Sequence, residues 1–100
     1  MIRGTTPTHT FTLPFDVSNI SKLKIIYAQN DSQIFCKGIE DCKLNGNTVS
    51  VSLTQSETLK FDHKKMVQIQ LRVLSGGGDS LVSNVFNTSV GECLDNEVLE

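Results

Sequence analysis

The sequence predicts an all-β protein, a two-layer antiparallel immunoglobulin-like sandwich of six or seven strands. Three observations carry this expectation. Apolar residues recur at every second position through most of the chain, the spacing that lines one face of a strand. The breaks between those runs hold Asn30-Asp31, Asn45-Gly46 and Gly76-Gly77-Gly78-Asp79, residues suited to tight reversals. No segment keeps a helical period. The chain has no Trp, so the Cys…Trp…Cys core of antibody domains is absent. A small barrel, with the OB-fold as its form, is the alternative.

The first strand reads from the alternation of Phe11, Leu13 and Phe15 with Thr10, Thr12 and Pro14. Pro14 has no N–H to give a ladder, which places this strand at an edge or pairs it only briefly. The second strand carries Leu23, Ile25 and Tyr27 on its inner face. A two-residue turn at Asn30-Asp31 sets Gln29 opposite Ser32, Tyr27 opposite Ile34, Ile25 opposite Cys36 and Leu23 opposite Gly38. In that register Cys36 is a small buried residue, and Ile26 meets Phe35 on the outer face. The Asn45-Gly46 turn pairs Leu44 with Asn47 and Cys42 with Val49. Its register would bring Glu40 opposite Val51, on the core side. A break or bulge is therefore expected over residues 38–41, dividing the third strand into two pieces that can change sheets.

Val49, Val51 and Leu53 mark the next strand. Thr54-Gln55-Ser56-Glu57 has the spacing of a capping box, which predicts one short helical turn near residues 55–59. That turn brings Leu59 or Phe61 over the end of the core, and the whole stretch from Thr54 to Lys65 crosses from one sheet to the other. Val67, Ile69, Leu71 and Val73 alternate along the following strand. A four-residue loop over Gly76–Asp79 would pair Ser75 with Ser80, Val73 with Val82 and Ile69 with Phe86. It also sets Leu74 opposite Leu81 on the outer face. The triple glycine lacks phosphate-loop spacing, and no helix follows it.

Composition narrows the function. The chain is 100 residues long, with 9 basic and 11 acidic residues interleaved. This is one domain's worth of chain, read here as residues 1–98, with Leu99-Glu100 taken as a cloning-site remnant. A net charge of −2 without a basic stripe argues against a nucleic-acid partner. No apolar run is long enough to span a membrane, and Met1-Ile2-Arg3-Gly4-Thr5 begins no signal peptide. Three cysteines, Cys36, Cys42 and Cys93, an odd count, fit free thiols in a reducing compartment. The expected location is the cytoplasm of a bacterial host, or a virion assembled there.

Chemistry has little to work with. His63 lies in a polar run, Asp62-His63-Lys64-Lys65, and His9 in a Thr-rich segment; neither is placed beside a nucleophile by its spacing. Asp62 and His63 are neighbours in sequence, so on an extended chain their side chains diverge. No zinc or calcium spacing occurs. The expectation is a non-enzyme with no catalytic residue, metal, cofactor or small-molecule substrate. One surface feature stands out: the outer-face pairs Ile26 with Phe35, and Leu74 with Leu81, form a candidate partner surface. An alternative is a small carbohydrate- or peptide-binding module using the loops at one end of the sandwich. Its weakness is the scarcity of loop aromatics.

The opening Met1-Ile2-Arg3-Gly4-Thr5-Thr6-Pro7-Thr8-His9-Thr10-Phe11, then Leu13-Pro14-Phe15-Asp16, Leu53 to Phe61 and Val67 to Leu74 together resemble small proteins encoded in prophage regions of Gram-positive bacteria. In general shape the chain is also similar to the immunoglobulin-like N-terminal domain of phage upper-baseplate proteins. It lacks their long C-terminal extension. The resemblance implies a phage structural or adaptor protein that docks with other phage proteins or with itself. It transfers no catalytic or ligand residue.

Overall fold

The computed structural model describes all of residues 1–100. Its elements run β1 (Thr8–Thr12), a 3-10 turn at Val17–Asn19, β2 (Ile20–Gln29), β3 (Ser32–Gly38), a 3-10 turn at Ile39–Asp41, β4 (Cys42–Asn45), β5 (Thr48–Ser52), α1 (Gln55–Thr58), β6 (Val67–Ser75), β7 (Ser80–Val82) and β8 (Phe86–Thr88). They form two antiparallel sheets. The smaller is ordered β1-β5-β4; the larger runs β3-β2-β6, with β7 and β8 both laid along the far side of β6. The expected all-β sandwich is the fold. It has eight strands because the last apolar run, like the third, divides in two.

Alternation sorts the core as expected. Leu23, Ile25 and Tyr27 of β2, Val49 and Val51 of β5, and Val67, Ile69, Leu71 and Val73 of β6 are all buried. Thr54 and Glu57 form the capping box: Glu57 N–H donates to Thr54 Oγ1 at 3.1 Å and Thr54 N–H to Glu57 Oε1 at 2.8 Å. The turn they hold delivers Phe61 into the core at 2% exposure, and the crossover then enters the larger sheet. Thr58, wholly buried, anchors the N-terminal segment. Its hydroxyl accepts from Gly4 N–H at 2.9 Å and donates to the Thr5 carbonyl at 2.8 Å.

Three registers differ from expectation. At the first hairpin Asn30 and Asp31 take φ of 54° and 62°, a type I′ turn, and Gln29 pairs with Ser32 as expected. A bulge then follows, so Tyr27 faces Phe35, Ile26 faces Cys36, Ile25 faces Lys37 and Lys24 faces Gly38. One extra residue exchanges the faces of β3 beyond it. Phe35 turns inward, and Cys36 turns outward and is exposed. The expected outer pair of Ile26 with Phe35 is not formed, nor is Cys36 buried. Packing explains the choice. The bulged register stacks Phe35 on Tyr27 at 5.0 Å and tilts it against Phe61 at 5.4 Å. Each such aromatic contact stabilises by about 0.5–1.5 kcal/mol beyond area burial. It also lets Lys37 reach Glu57, at 2.8 Å.

At the second hairpin the turn residues are Gly46-Asn47, since Asn45 pairs with Thr48, Leu44 with Val49 and Cys42 with Val51. Gly46 has φ of 60°, the first central position of a type II′ turn. The slip is two residues from the expected pairing, so face parity survives. Glu40 escapes the core because it falls in the Ile39–Asp41 turn, where the chain passes between sheets. The third loop closes over three glycines: Ser75 N–H donates to the Asp79 carbonyl at 2.8 Å, and Gly78 has φ of 92°. The shorter loop moves the pairing by one, so Leu81 faces Val73 and Leu74 faces Ser80. The expected outer pair of Leu74 with Leu81 is therefore absent. A second irregularity restores the count. Ser83 takes up the backbone of Leu71, donating its N–H to the carbonyl at 2.9 Å and accepting the Leu71 N–H on Oγ at 2.9 Å. One extra residue is absorbed there, and Phe86 returns opposite Ile69 as expected.

Candidate functional site

The two flanks of the sandwich are unlike. On one, the chain itself crosses between β3 and β4 at Ile39–Asp41. On the other the two sheets are tied at one end, where the segment leading into β1 pairs with the segment after β8: Gly91 N–H donates to the Met1 carbonyl at 2.7 Å and Arg3 N–H to the Gly91 carbonyl at 3.2 Å. Beyond that bridge the flank is open. There β1 is the last strand of the smaller sheet, while the larger sheet continues past β6 to β7 and β8. Leu81 and Phe86 face the interior side, as their partners Val73 and Ile69 show, yet they remain 44% and 49% exposed. The smaller sheet is one strand short of covering them. Between β1 and β8 lies a cleft of about 470 Å³, walled by residues 8–13 and floored by Ile69, Leu71 and Phe86. Phe11 and Phe86 meet across it with ring centroids 5.9 Å apart.

The backbone of β1 is committed on one side only. Leu53 N–H donates to the Pro7 carbonyl at 2.9 Å and Leu13 N–H to the Asn47 carbonyl at 2.7 Å. With the register Thr8 to Ser52 through Thr12 to Thr48, the antiparallel pattern directs the odd-numbered residues' N–H and C=O groups to β5. Those of Thr8, Thr10 and Thr12 point away from it, toward the open flank. Their side chains lie on the outer face, where Thr8 and Thr10 hydroxyls bond Ser52 and Ser50 at 2.8 and 3.0 Å.

Behind this edge sits a polar pair in the sandwich interior. His9 Nδ1 lies 2.7 Å from the Tyr27 hydroxyl, and the rings stack at 5.7 Å. Burial lowers the His9 pKa, helped by the positive N-terminus. Burial raises that of Tyr27, with Cys42 and Glu57 adding to it. Farther in, Lys37 and Glu57 pair with little exposure. Burial pushes Glu57 up, but the Lys37 ammonium and the Thr54 N–H outweigh it and hold the carboxyl below its usual range. Burial, then Asp41 and Glu40, raise the Cys42 thiol, which donates to the Gly38 carbonyl at 3.3 Å. These contacts are inward-facing and well satisfied.

Of the residues named from sequence, Ile26 does lie on the outer face, half-buried between Ala28 and Gln70. Phe35 belongs to the core side. Leu74 stays outside beside Lys22, Lys24 and Arg72, while Leu81 faces the open flank. The four therefore do not form one surface. His63 sits on the Asp62–Lys65 turn, and His9 is the histidine that faces inward. Its parity with Phe11 is the signal that could have found it. The outer face of the larger sheet also gathers charge that the sequence scatters: Lys24 is directly opposite Arg72, with Lys22 two residues along. No cluster of three His, Cys, Asp or Glu side chains converges, and no helix is long and apolar enough to cross a membrane. Comparison with family models, with curated proteins and with solved structures returned no match.

Proposed function

We propose that this protein is a non-enzymatic docking module, a structural or adaptor subunit of phage or prophage origin that works by protein–protein contact. The observation that carries the docking reading is the open flank, where the inward-facing Leu81 and Phe86 of the larger sheet have no strand over them. An apolar strip of this kind, inside an otherwise closed sandwich, marks a contact surface. The phage setting is supported by the sequence resemblance. The partners are other proteins of the same assembly.

The test is co-expression with the products of the neighbouring genes, comparing the wild-type chain with a Leu81→Ser, Phe86→Ser double variant. Both side chains are about half exposed, so the variant keeps its fold by circular dichroism. A stoichiometric complex formed by the wild type and lost in the variant supports the reading. A folded variant that retains every complex, or a wild type that forms none, overturns it.

A further inference from the structure

We infer that the open flank takes its partner by β-strand addition: an extended, uncharged segment of another protein pairs antiparallel with the outer edge of β1 and lays alternate apolar side chains over Ile69, Leu71 and Phe86, the floor of the cleft. The inference rests on the docking reading above and specifies its mode and its partner.

Four edges could accept a strand, and three are guarded. The β3 edge is broken by the bulge at Ile34 and carries Lys37. The β4 edge is only four residues long, carries Lys43 and adjoins the chain crossing at Ile39–Asp41. The β7–β8 edge is interrupted over residues 83–85. Bulges, lysines and short edges are the devices that discourage edge pairing. β1 has none of them. Its five residues pair with β5 without a shift, none is Lys, Asp, Glu or Pro, and three N–H and three C=O groups face outward.

Prolines set the length. Pro14 falls at the next outward-directed position after Thr12 and offers no N–H, so the ladder ends there. Pro7 precedes Thr8 at the other end. The site therefore matches about five to seven residues of partner chain. The floor sets the side chains. The cleft is lined by no ionisable group except His9, already bonded to Tyr27, so a charged residue pointing inward would be buried without a partner. Apolar residues inward and polar ones outward, beside Thr8, Thr10 and Thr12, satisfy both faces. A second copy of this chain does not fit: in a two-fold pairing of β1 with β1, both β7–β8 overhangs would occupy the same space.

The probe is the peptide acetyl-Lys-Thr-Val-Thr-Val-Thr-Val-Thr-Lys-amide, titrated into ¹⁵N-labelled protein. Binding is expected with a dissociation constant below about 1 mM, with new exchange protection at the Thr8, Thr10 and Thr12 amides. Methylating the peptide's threonine nitrogens, which meet β1 in antiparallel pairing, weakens binding about tenfold or more; methylating the valine nitrogens does not. Thr10→Pro in the protein removes an outward N–H and no bond to β5, so it too abolishes binding. If that variant fails to fold, the two methylated peptides still decide the matter. Peptide shifts at Leu81 and Phe86 without protection on β1 overturn strand addition but leave docking standing. Dimerisation of the free chain through β1 overturns the choice of partner. Absence of binding, or binding indifferent to methylation, overturns the inference, and if the Leu81, Phe86 variant also keeps its complexes the docking reading falls with it.

Discussion

Replacing Phe35 with Ala and, separately, Cys36 with Ser measures the bulge in β3 through its energetic consequence. Phe35 is half-buried, stacked on Tyr27 and tilted against Phe61, with Lys60 Nζ 5.9 Å from its ring centroid on the solvent side. A fully buried Phe→Ala change costs about 3–5 kcal/mol. Half that, about 2 kcal/mol, is expected here, most of it from the two aromatic contacts. For a chain of this size it lowers Tm by about 10 °C. Cys36 is exposed on the opposite face, so Cys36→Ser is expected within about 0.5 kcal/mol of wild type. Urea unfolding followed by circular dichroism gives both numbers, with the m-value required to stay constant. Native-state thiol labelling is the companion assay: Cys36 reacts first, and Cys42, half-buried with its thiol pushed up, lags. A costly Cys36→Ser beside a silent Phe35→Ala would mean that the unbulged register is correct and that Phe35 lies outside.

Other expectations follow from single contacts. Thr58→Val keeps shape but strands the Gly4 N–H and the Thr5 carbonyl; a loss of about 2 kcal/mol in urea unfolding is expected. Lys24→Glu turns the like-charged cross-strand pair with Arg72 into an opposite-charged one. Stability should rise by about 0.5 kcal/mol at low salt and the gain should shrink in high salt. His9 is held below its ordinary value of 6.5, so the unfolded chain binds the proton more readily. Its contribution is complete above about pH 6.5 and drains as the pH falls from there toward the lowered native value. The unfolding midpoint of His9→Gln should lose less than that of wild type between pH 7.5 and 5.5, and equal losses would contradict the assignment.

Parity was the legible part of this chain. Leu23, Ile25, Tyr27 and Val67 through Val73 could be assigned to the core because burial on one face imposes a two-residue period. The Thr54–Glu57 cap could be read because it is local. Hairpins were legible to within a residue: the Asn30-Asp31 turn forms as read, the second two-residue turn moves on by one position, and the glycine loop is one residue shorter. Asn45-Gly46-Asn47 offers two overlapping two-residue turns of the same face parity, and alternation alone does not choose between them. The bulge at Ile34 has no local signature, since it is chosen by contacts with Phe61 and Glu57, more than twenty residues away in sequence. The open flank was invisible for a deeper reason. Alternation says which side of a strand is buried, not which sheet the strand joins, so a sheet that ends one strand early leaves no mark in the pattern. His9 was passed over because a histidine among threonines reads as surface, although its parity with Phe11 places it inside.

Amide hydrogen exchange along β1 in the free protein tests the central claim most directly. If the smaller sheet ends at β1 with its outer edge unpaired, His9 and Phe11 exchange slowly, while Thr8, Thr10 and Thr12 exchange fast. Uniform protection from residue 8 to residue 12 would show that something already covers that edge and would contradict the account.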